Sequence, residues 1–116
     1  MADACSSVRA GDVVWAELDP VHGREQGGRR PVVVVSGDDY NALVDTLLFV
    51  VPVTSVDRGW PNHVRLTGHL NLDRASWALT EQLRAISRER VHGLAGAVDD
   101  ETLGRIRTWI STFLDL

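Results

Sequence analysis

Short apolar runs along the first half of the chain predict β-strands. Residues 12–18 (DVVWAEL) follow a glycine and end at Asp19-Pro20, as a first strand would. Residues 32–36 (VVVVS) and 46–53 (TLLFVVPV) are almost entirely apolar and have the length of buried strands. Pro52 requires the end or the edge of its strand because proline donates no ladder hydrogen bond. The turn-rich segment 36–41 (SGDDYN) is expected to connect these two strands.

Two further segments add strands to this sheet. After a loop at residues 55–62, the sequence HVRLTG predicts a half-buried strand with His63 and Arg65 outward and Val64 and Leu66 inward. Residues 77–86 fit a helix or a strand by pattern. The strand is favoured because the preceding elements already demand a sheet.

The C-terminal segment is predicted to be an amphipathic helix. Asp99, Asp100 and Glu101 suit a helix N-terminus and its dipole. Apolar residues then recur at helical spacing, at Leu103, Ile106, Ile110 and Phe113. Several short strands followed by one terminal helix predict an α+β domain built on a strongly curved small barrel or sheet.

Composition narrows the class of protein. The 116 residues predict a single domain over 1–116, with residues 1–10 as a flexible N-terminus. A single cysteine, Cys5, leaves no disulfide framework and fits a reduced cytoplasm. The longest apolar run, 46–53, is too short to span a membrane. The four histidines lack metal-ligand spacing, so neither a metal nor another cofactor is expected.

Charge is unevenly distributed along the chain. The formal net charge is −4, yet residues 21–30 carry three arginines against one glutamate. All twelve basic residues are arginine. Genomic base composition would explain this bias, and so would the fit of the guanidinium fork to phosphate oxygens.

The stretch GREQGGRRPVVVVSG, residues 23–37, sets a chemically dense loop against a buried strand. Gly27-Gly28 lets backbone approach a ligand closely. Arg30 precedes Pro31, so its backbone is biased toward extended geometry at the start of a rigid strand. If strands 32–36 and 46–53 pair antiparallel, Thr54 falls at the same end of the sheet as Arg30. If Glu25 in the preceding loop lies over both residues, the carboxylate, guanidinium and hydroxyl together form a binding site suited to a phosphodiester.

These motifs resemble the MazF/PemK (Kid) toxins of type II toxin–antitoxin modules. The resemblance is carried by GDVVWAELDPVHGREQGGRRPVVVVS, Tyr40-Asn41 and VPVTS at 51–55, and it runs from about Gly11 into the C-terminal helix. It implies a small SH3-like β-barrel (CcdB/PemK-like) with a C-terminal helix and a cytoplasmic homodimer. The implied activity is a metal-free endoribonuclease that cuts single-stranded RNA at a short sequence and leaves 2′,3′-cyclic phosphate and 5′-hydroxyl ends. A cognate antitoxin is the implied protein partner.

Site residues transfer from the family position by position. The resemblance implies Arg30, Thr54 and Glu25 as catalytic residues. Substrate-binding candidates are Arg24, Gly27, Gly28, Arg29, Ser55, Trp60, Glu81 and Gln82. Trp60 either stacks an RNA base or packs under its loop, and Glu81 either contacts substrate or pairs with Arg84.

Two departures from the family pattern concern proton transfer. Arg24 stands where some members carry a histidine, and Leu79 stands where some carry an arginine that acts as a general acid. The phosphate-binding groups are therefore better defined than the proton-transfer groups.

Two other functions are alternatives to the ribonuclease activity. The same fold serves toxins that inhibit DNA gyrase without cleaving nucleic acid. Those lack the pairing of Arg-Pro with Thr-Ser at one end of the sheet, which is present here. A decayed toxin that only binds antitoxin is the third reading, and the intact Glu25, Arg30 and Thr54 favour the enzyme.

Overall fold

The structure is a computed structural model that describes residues 8–18 and 28–116. It contains eight strands and two α-helices in this part of the chain. In chain order they are β1 (Asp12–Glu17), β2 (Arg29–Val34), α1 (Asp38–Leu43), β3 (Leu47–Thr54), β4 (His63–Arg65), β5 (Gly68–Leu70), β6 (Trp77–Leu79), β7 (Arg84–Ser87), β8 (Val91–Val98) and α2 (Asp100–Phe113). Single 3₁₀ turns at Thr80–Gln82 and Arg88–Arg90 flank β7. The predicted α+β class with a C-terminal helix is confirmed.

The strands form one antiparallel sheet in the order β4-β6-β3-β2-β1-β8-β5, and β7 pairs with the first half of β3. Its two edge strands, β4 and β5, are separated in the chain only by Leu66 and Thr67. Because β4 and β5 continue one another as one bent segment, they do not pair side by side. In place of the predicted closed barrel, the structure therefore has an antiparallel sheet that hydrogen bonds do not close.

Alternate residues along the central strands bury both faces of the sheet. Val13 and Val33 pack with Leu103 and Ile106 of α2 in one apolar cluster. Val14, Val32, Val34, Leu48 and Val50 lie in a second cluster with Ile86 and Val91. This explains why residues 32–34 of β2 and 50–53 of β3 are apolar without interruption, since a strand segment buried on both faces has no polar side.

The N-terminus of α2 matches its predicted signals. Asp99 is the N-cap, and its side chain accepts a hydrogen bond from the Thr102 N–H at 2.8 Å. The Thr67 hydroxyl donates to the other Asp99 oxygen at 2.6 Å. These two bonds connect the helix start to the β4–β5 segment.

Four predicted features differ from the structure. Residues 38–43 form a short helix instead of a turn, because the Ser36 hydroxyl and Asn41 side chain bond each other at 2.6 Å and hold it. Residues 77–86 are divided by the 3₁₀ turn into β6 and β7, which pair with opposite ends of β3. Strands β5 and β8 form in segments for which the sequence pattern predicted no separate strand. His63 was predicted to face outward and is buried.

The described chain is packed from Val8 onward. Val8 is buried, and the Ala10 N–H donates to an Asp38 carboxylate oxygen at 2.8 Å. Cys5 lies outside the described residues. Neither helix in the described ranges has the length and apolar character that a bilayer span requires.

Candidate active site

Arg30 and Thr54 lie at the same end of the sheet, as the sequence predicted. Val32 pairs with Pro52 and Val33 with Val51 between β2 and β3. Continuing that antiparallel register by two residues sets Arg30 opposite Thr54. Both residues line one open pocket of about 280 Å³.

The pocket combines an apolar wall with a polar rim. Trp15, Pro31 and Val53 contribute from the three adjacent strands β1, β2 and β3. Arg30, Thr54 and Ser55 line the pocket together with residues 72–74 and Ser76. A guanidinium and two hydroxyls beside an apolar wall can bind a phosphate group next to a ribose or base.

Thr54 is held so that one hydrogen-bond donor remains for a ligand. The residue is only 5% exposed, and its Oγ1 accepts the Val56 N–H at 3.1 Å. That contact fixes the oxygen while leaving the O–H hydrogen to donate elsewhere. A preorganised donor of this kind is suited to an oxygen that gains negative charge.

Several predicted site residues fall outside the described part of the chain or outside the pocket. Arg24, Glu25 and Gly27 belong to residues 19–27, outside the described ranges. Gly28 adopts a positive φ of 71°, and its carbonyl accepts the Leu18 N–H at 2.9 Å. Arg29 lies 3.9 Å from a carboxylate oxygen of Glu17 on β1 and does not line the pocket.

Glu81 belongs to a separate cluster at the end of the 55–62 loop. Its carboxylate accepts from Asn62 at 2.9 Å and lies 3.1 Å from His63 Nε2. The predicted alternatives of a substrate contact or an ion pair with Arg84 therefore missed its principal partner, His63. Gln82 lines a second cavity of about 260 Å³ with Glu81, Leu83 and Arg84.

Trp60 is stacked, yet it stays half exposed. Its ring lies 4.7 Å from the His63 ring, centroid to centroid, with an interplanar angle of 26°. Trp60 is 48% exposed, so one side of the indole remains available to a ligand. The structure thus supports a position on the loop surface instead of one packed under it.

The pocket includes residues that the sequence analysis did not propose. Leu72, Asp73, Arg74 and Ser76 lie in the connection between β5 and β6 and line the same pocket as Arg30. They approach it because Trp77, which begins β6, pairs with Thr54. The charged pair Asp73-Arg74 directly before a predicted strand was the feature of the sequence that could have indicated a site here. Residues 77–86 fitted a helix as well as a strand, so the position of this pair relative to the sheet was not defined.

Leu79 offers no functional group in place of the family arginine. It is 1% exposed and pairs with His63 across β4 and β6. Within residues 8–18 and 28–116, no three His, Cys, Asp or Glu side chains group closely enough to hold a metal ion.

Comparisons with known proteins connect this geometry to a family. Residues 9–114 match the family described as PemK-like, MazF-like toxin of type II toxin-antitoxin system. The endoribonuclease toxin MazF of Escherichia coli (strain K12) is 36% identical over 105 residues, which cover 90% of this chain and 91% of the relative. Endoribonuclease EndoA of Bacillus subtilis (strain 168) is 34% identical over 101 residues, covering 85% and 87%.

Solved structures show the same fold. MazF from Deinococcus radiodurans superposes with a TM-score of 0.80 at 34% identity and covers 94% of this chain and 97% of its own. MazF in a MazE–MazF complex from the same organism gives a TM-score of 0.75 at 32% identity, covering 94% and 96%. The chain therefore belongs to the PemK/MazF family of toxins of type II toxin–antitoxin systems.

Proposed function

We propose that this chain is an endoribonuclease toxin that cleaves single-stranded RNA in the pocket shared by Arg30 and Thr54. The observation that carries the proposal is the convergence of these two residues at one end of β2 and β3. Relatives named endoribonucleases, similar over most of their length, support the reaction class.

The proposed chemistry is an internal displacement at phosphorus. The ribose 2′-oxygen forms a bond to the adjacent phosphorus while the bond from phosphorus to O5′ breaks. The 2′-hydroxyl proton passes to a base, for which Glu25 is our candidate, and O5′ takes up a proton as it leaves. The products are a 2′,3′-cyclic phosphate and a 5′-hydroxyl, so water does not enter this step.

In this reaction Arg30 and Thr54 act on the non-bridging phosphate oxygens. Negative charge builds there in the transition state, and a guanidinium fork can donate to two oxygens at once. The Thr54 hydroxyl supplies a further donor from a fixed position. Backbone N–H groups near Gly27-Gly28 are proposed to complete the site.

Substrate contacts are proposed to extend along the loops beside the pocket. Ser55 lies next to Thr54 at the pocket, and the half-exposed Trp60 presents a flat face to an RNA base. Arg24 and Arg29 are proposed to attract the RNA backbone. In this proposal Glu81 and Gln82 shape the neighbouring loop.

A cognate antitoxin and a second copy of the chain are the proposed protein partners, in a cytoplasmic setting. A solved structure of a relative contains MazF with MazE. Large apolar side chains are exposed, among them Leu43 at 85% and Leu94 at 65%, and burial of such groups stabilises an interface. RNA and an acidic antitoxin segment are expected to compete for the arginine-rich surface around the pocket.

The test is cleavage of a long RNA by the purified chain in EDTA, compared with Arg30→Ala. Removing one preorganised donor to a developing oxyanion slows such reactions by about 100- to 1000-fold. Arg105→Ala is the matched control, since Arg105 is an exposed arginine on α2, away from the pocket. Cleavage by a folded Arg30→Ala protein at the control rate would overturn the assignment. An inactive wild-type chain would favour gyrase inhibition or antitoxin binding alone.

A further inference from the structure

We propose that Arg74 is a second phosphate-binding arginine of the pocket, beside Arg30, and contacts the phosphodiester from the β5–β6 connection. The inference rests on the proposed ribonuclease function. It assigns a role to the β5–β6 connection, from which the sequence analysis drew no site residue.

The backbone around Arg74 is fixed at both ends of the connection. The Asn71 N–H donates to the Ala95 carbonyl of β8 at 2.8 Å, and the Leu66 N–H donates to the Ser76 carbonyl at 2.9 Å. Between them the Ser76 hydroxyl donates to the Arg74 carbonyl at 2.9 Å. Leu72 packs against the apolar cluster beneath α2. Arg74 is therefore mounted on an anchored segment.

The Arg74 side chain is available to a ligand. The residue is exposed, and its guanidinium makes no hydrogen bond or ion pair with any residue in 8–18 or 28–116. Surface arginines without a structural partner are common, so the absence of a partner does not by itself indicate a ligand-binding role. Here the same residue lines the pocket that contains Arg30 and Thr54.

The charges that line the pocket favour an anion. Two guanidinium groups, Arg30 and Arg74, stand against one carboxylate, Asp73, among the described lining residues. The adjoining strand β6 supplies no cation, because its three residues are Trp77, Ala78 and Leu79. Among the described lining residues, the positive charge that adds to Arg30 is therefore that of Arg74, in the β5–β6 connection.

Arg74 would act through charge and hydrogen bonding instead of proton transfer. A guanidinium stays protonated at neutral pH, so Arg74 offers a permanent positive charge and several N–H donors. It can donate to a non-bridging oxygen, or to O5′ as charge develops there. The cyclic phosphate and the 5′-hydroxyl would form as described above, with no additional reactant.

The experiment compares Arg74→Ala, Arg74→Gln and Arg74→Lys with the control Arg105→Ala in two assays. The first is affinity for a 2′-deoxy, uncleavable RNA analogue across a salt series. Loss of one phosphate contact should lower the slope of log K against log salt by about 0.7. The second is single-turnover cleavage, in which we expect Arg74→Ala and Arg74→Gln to be about 10- to 100-fold slower.

Lysine and the control separate a substrate contact from a structural role. Arg74→Lys should restore the salt slope and only part of the rate, because an ammonium ion cannot fork across two oxygens. Arg105→Ala should change neither quantity by more than about twofold. The inference is wrong if Arg74→Ala behaves like Arg105→Ala, or if it loses activity with an unchanged salt slope.

The two proposals fail in different ways. Normal activity in Arg74→Ala beside an inactive Arg30→Ala would remove only the role of Arg74. If the wild-type chain does not cleave RNA, the ribonuclease proposal fails, while the salt series on the uncleavable analogue still decides whether Arg74 contacts phosphate.

Discussion

The Nε2 atom of His63 lies 3.1 Å from each of the two carboxylate oxygens of Glu81. A carboxylate only accepts hydrogen bonds, so His63 donates from Nε2. The histidine side chain is 2% exposed, and its ring supports Trp60 by stacking. This contact joins the end of the 55–62 loop to the 3₁₀ turn after β6.

Glu81→Ala is predicted to destabilise the protein. It removes the acceptor of His63 and Asn62 and leaves the buried Nε2–H of His63 unpaired, which costs about 1–3 kcal/mol. Urea unfolding measures the change. Glu89→Ala is the matched control, because Glu89 is an exposed glutamate whose carboxylate makes no hydrogen bond or ion pair with a described residue. Equal stability of the two variants would show that the Glu81 contact contributes nothing.

Trp60→Ala is predicted to weaken RNA binding while the fold stays intact. Stacking of a base on an aromatic side chain contributes about 1–3 kcal/mol, so affinity should fall by roughly 5- to 150-fold. Fluorescence anisotropy with an uncleavable RNA measures this. Val56→Ala, another exposed apolar residue of the same loop, should bind as the wild type does. A Trp60→Ala protein with unchanged affinity would remove the stacking role.

Gly96→Ala is predicted to disrupt the pairing of β5 with β8. Gly96 has a φ of 131°, and a Cβ there would lie 2.1 Å from the His69 carbonyl oxygen. The strands would have to separate, so we expect destabilisation by about 2–4 kcal/mol. Gly93→Ala in the same strand meets no atom within 4 Å and should be far milder. Thermal unfolding compares the two, and similar midpoints would contradict the steric account.

The cap of α2 is predicted to make stability depend on pH in acid. Hydrogen bonds from Thr102 and Thr67 lower the pKa of Asp99 below its ordinary value of 3.8. A carboxyl with a lowered folded-state pKa stabilises the fold above pH 3.8, and this contribution is lost as the pH falls below that value. Unfolding of wild type and Asp99→Asn between pH 2.5 and about 6 isolates this effect, since asparagine caps without titrating. A difference that stays constant across the range would refute it.

The positions of the catalytic candidates were accessible from the sequence because they depend on strand boundaries. The buried run after Pro31 and the run ending in Pro52 define β2 and β3, and a short connection makes them antiparallel. That pairing alone brings Arg30 and Thr54 to one end of the sheet. The helix cap at Asp99 was equally accessible, since it follows from local hydrogen bonding.

Features set by distant contacts were not accessible. The strand β8 contains Gly93 and Gly96 and has weak strand character by itself, yet it pairs with both β1 and β5. His63 occupies an alternating position typical of a surface residue, yet it is buried, and Glu81, eighteen residues later, accepts the hydrogen bond from its Nε2–H. The position of Arg74 at the pocket depends on the pairing of Trp77 with Thr54, and the sequence pattern did not predict that pairing.

The central claim is that the RNA 2′-hydroxyl attacks its own phosphate in the pocket of Arg30 and Thr54. After the cut site is mapped, the most direct measurement compares two RNAs that differ by a single 2′-deoxy substitution at the nucleotide 5′ to the cut, both in EDTA. We predict that the deoxy RNA binds with similar affinity and remains uncut, while the parent RNA yields a 2′,3′-cyclic phosphate. Cleavage of the deoxy RNA at the parent rate, or arrest of the parent reaction by EDTA, would contradict the claim.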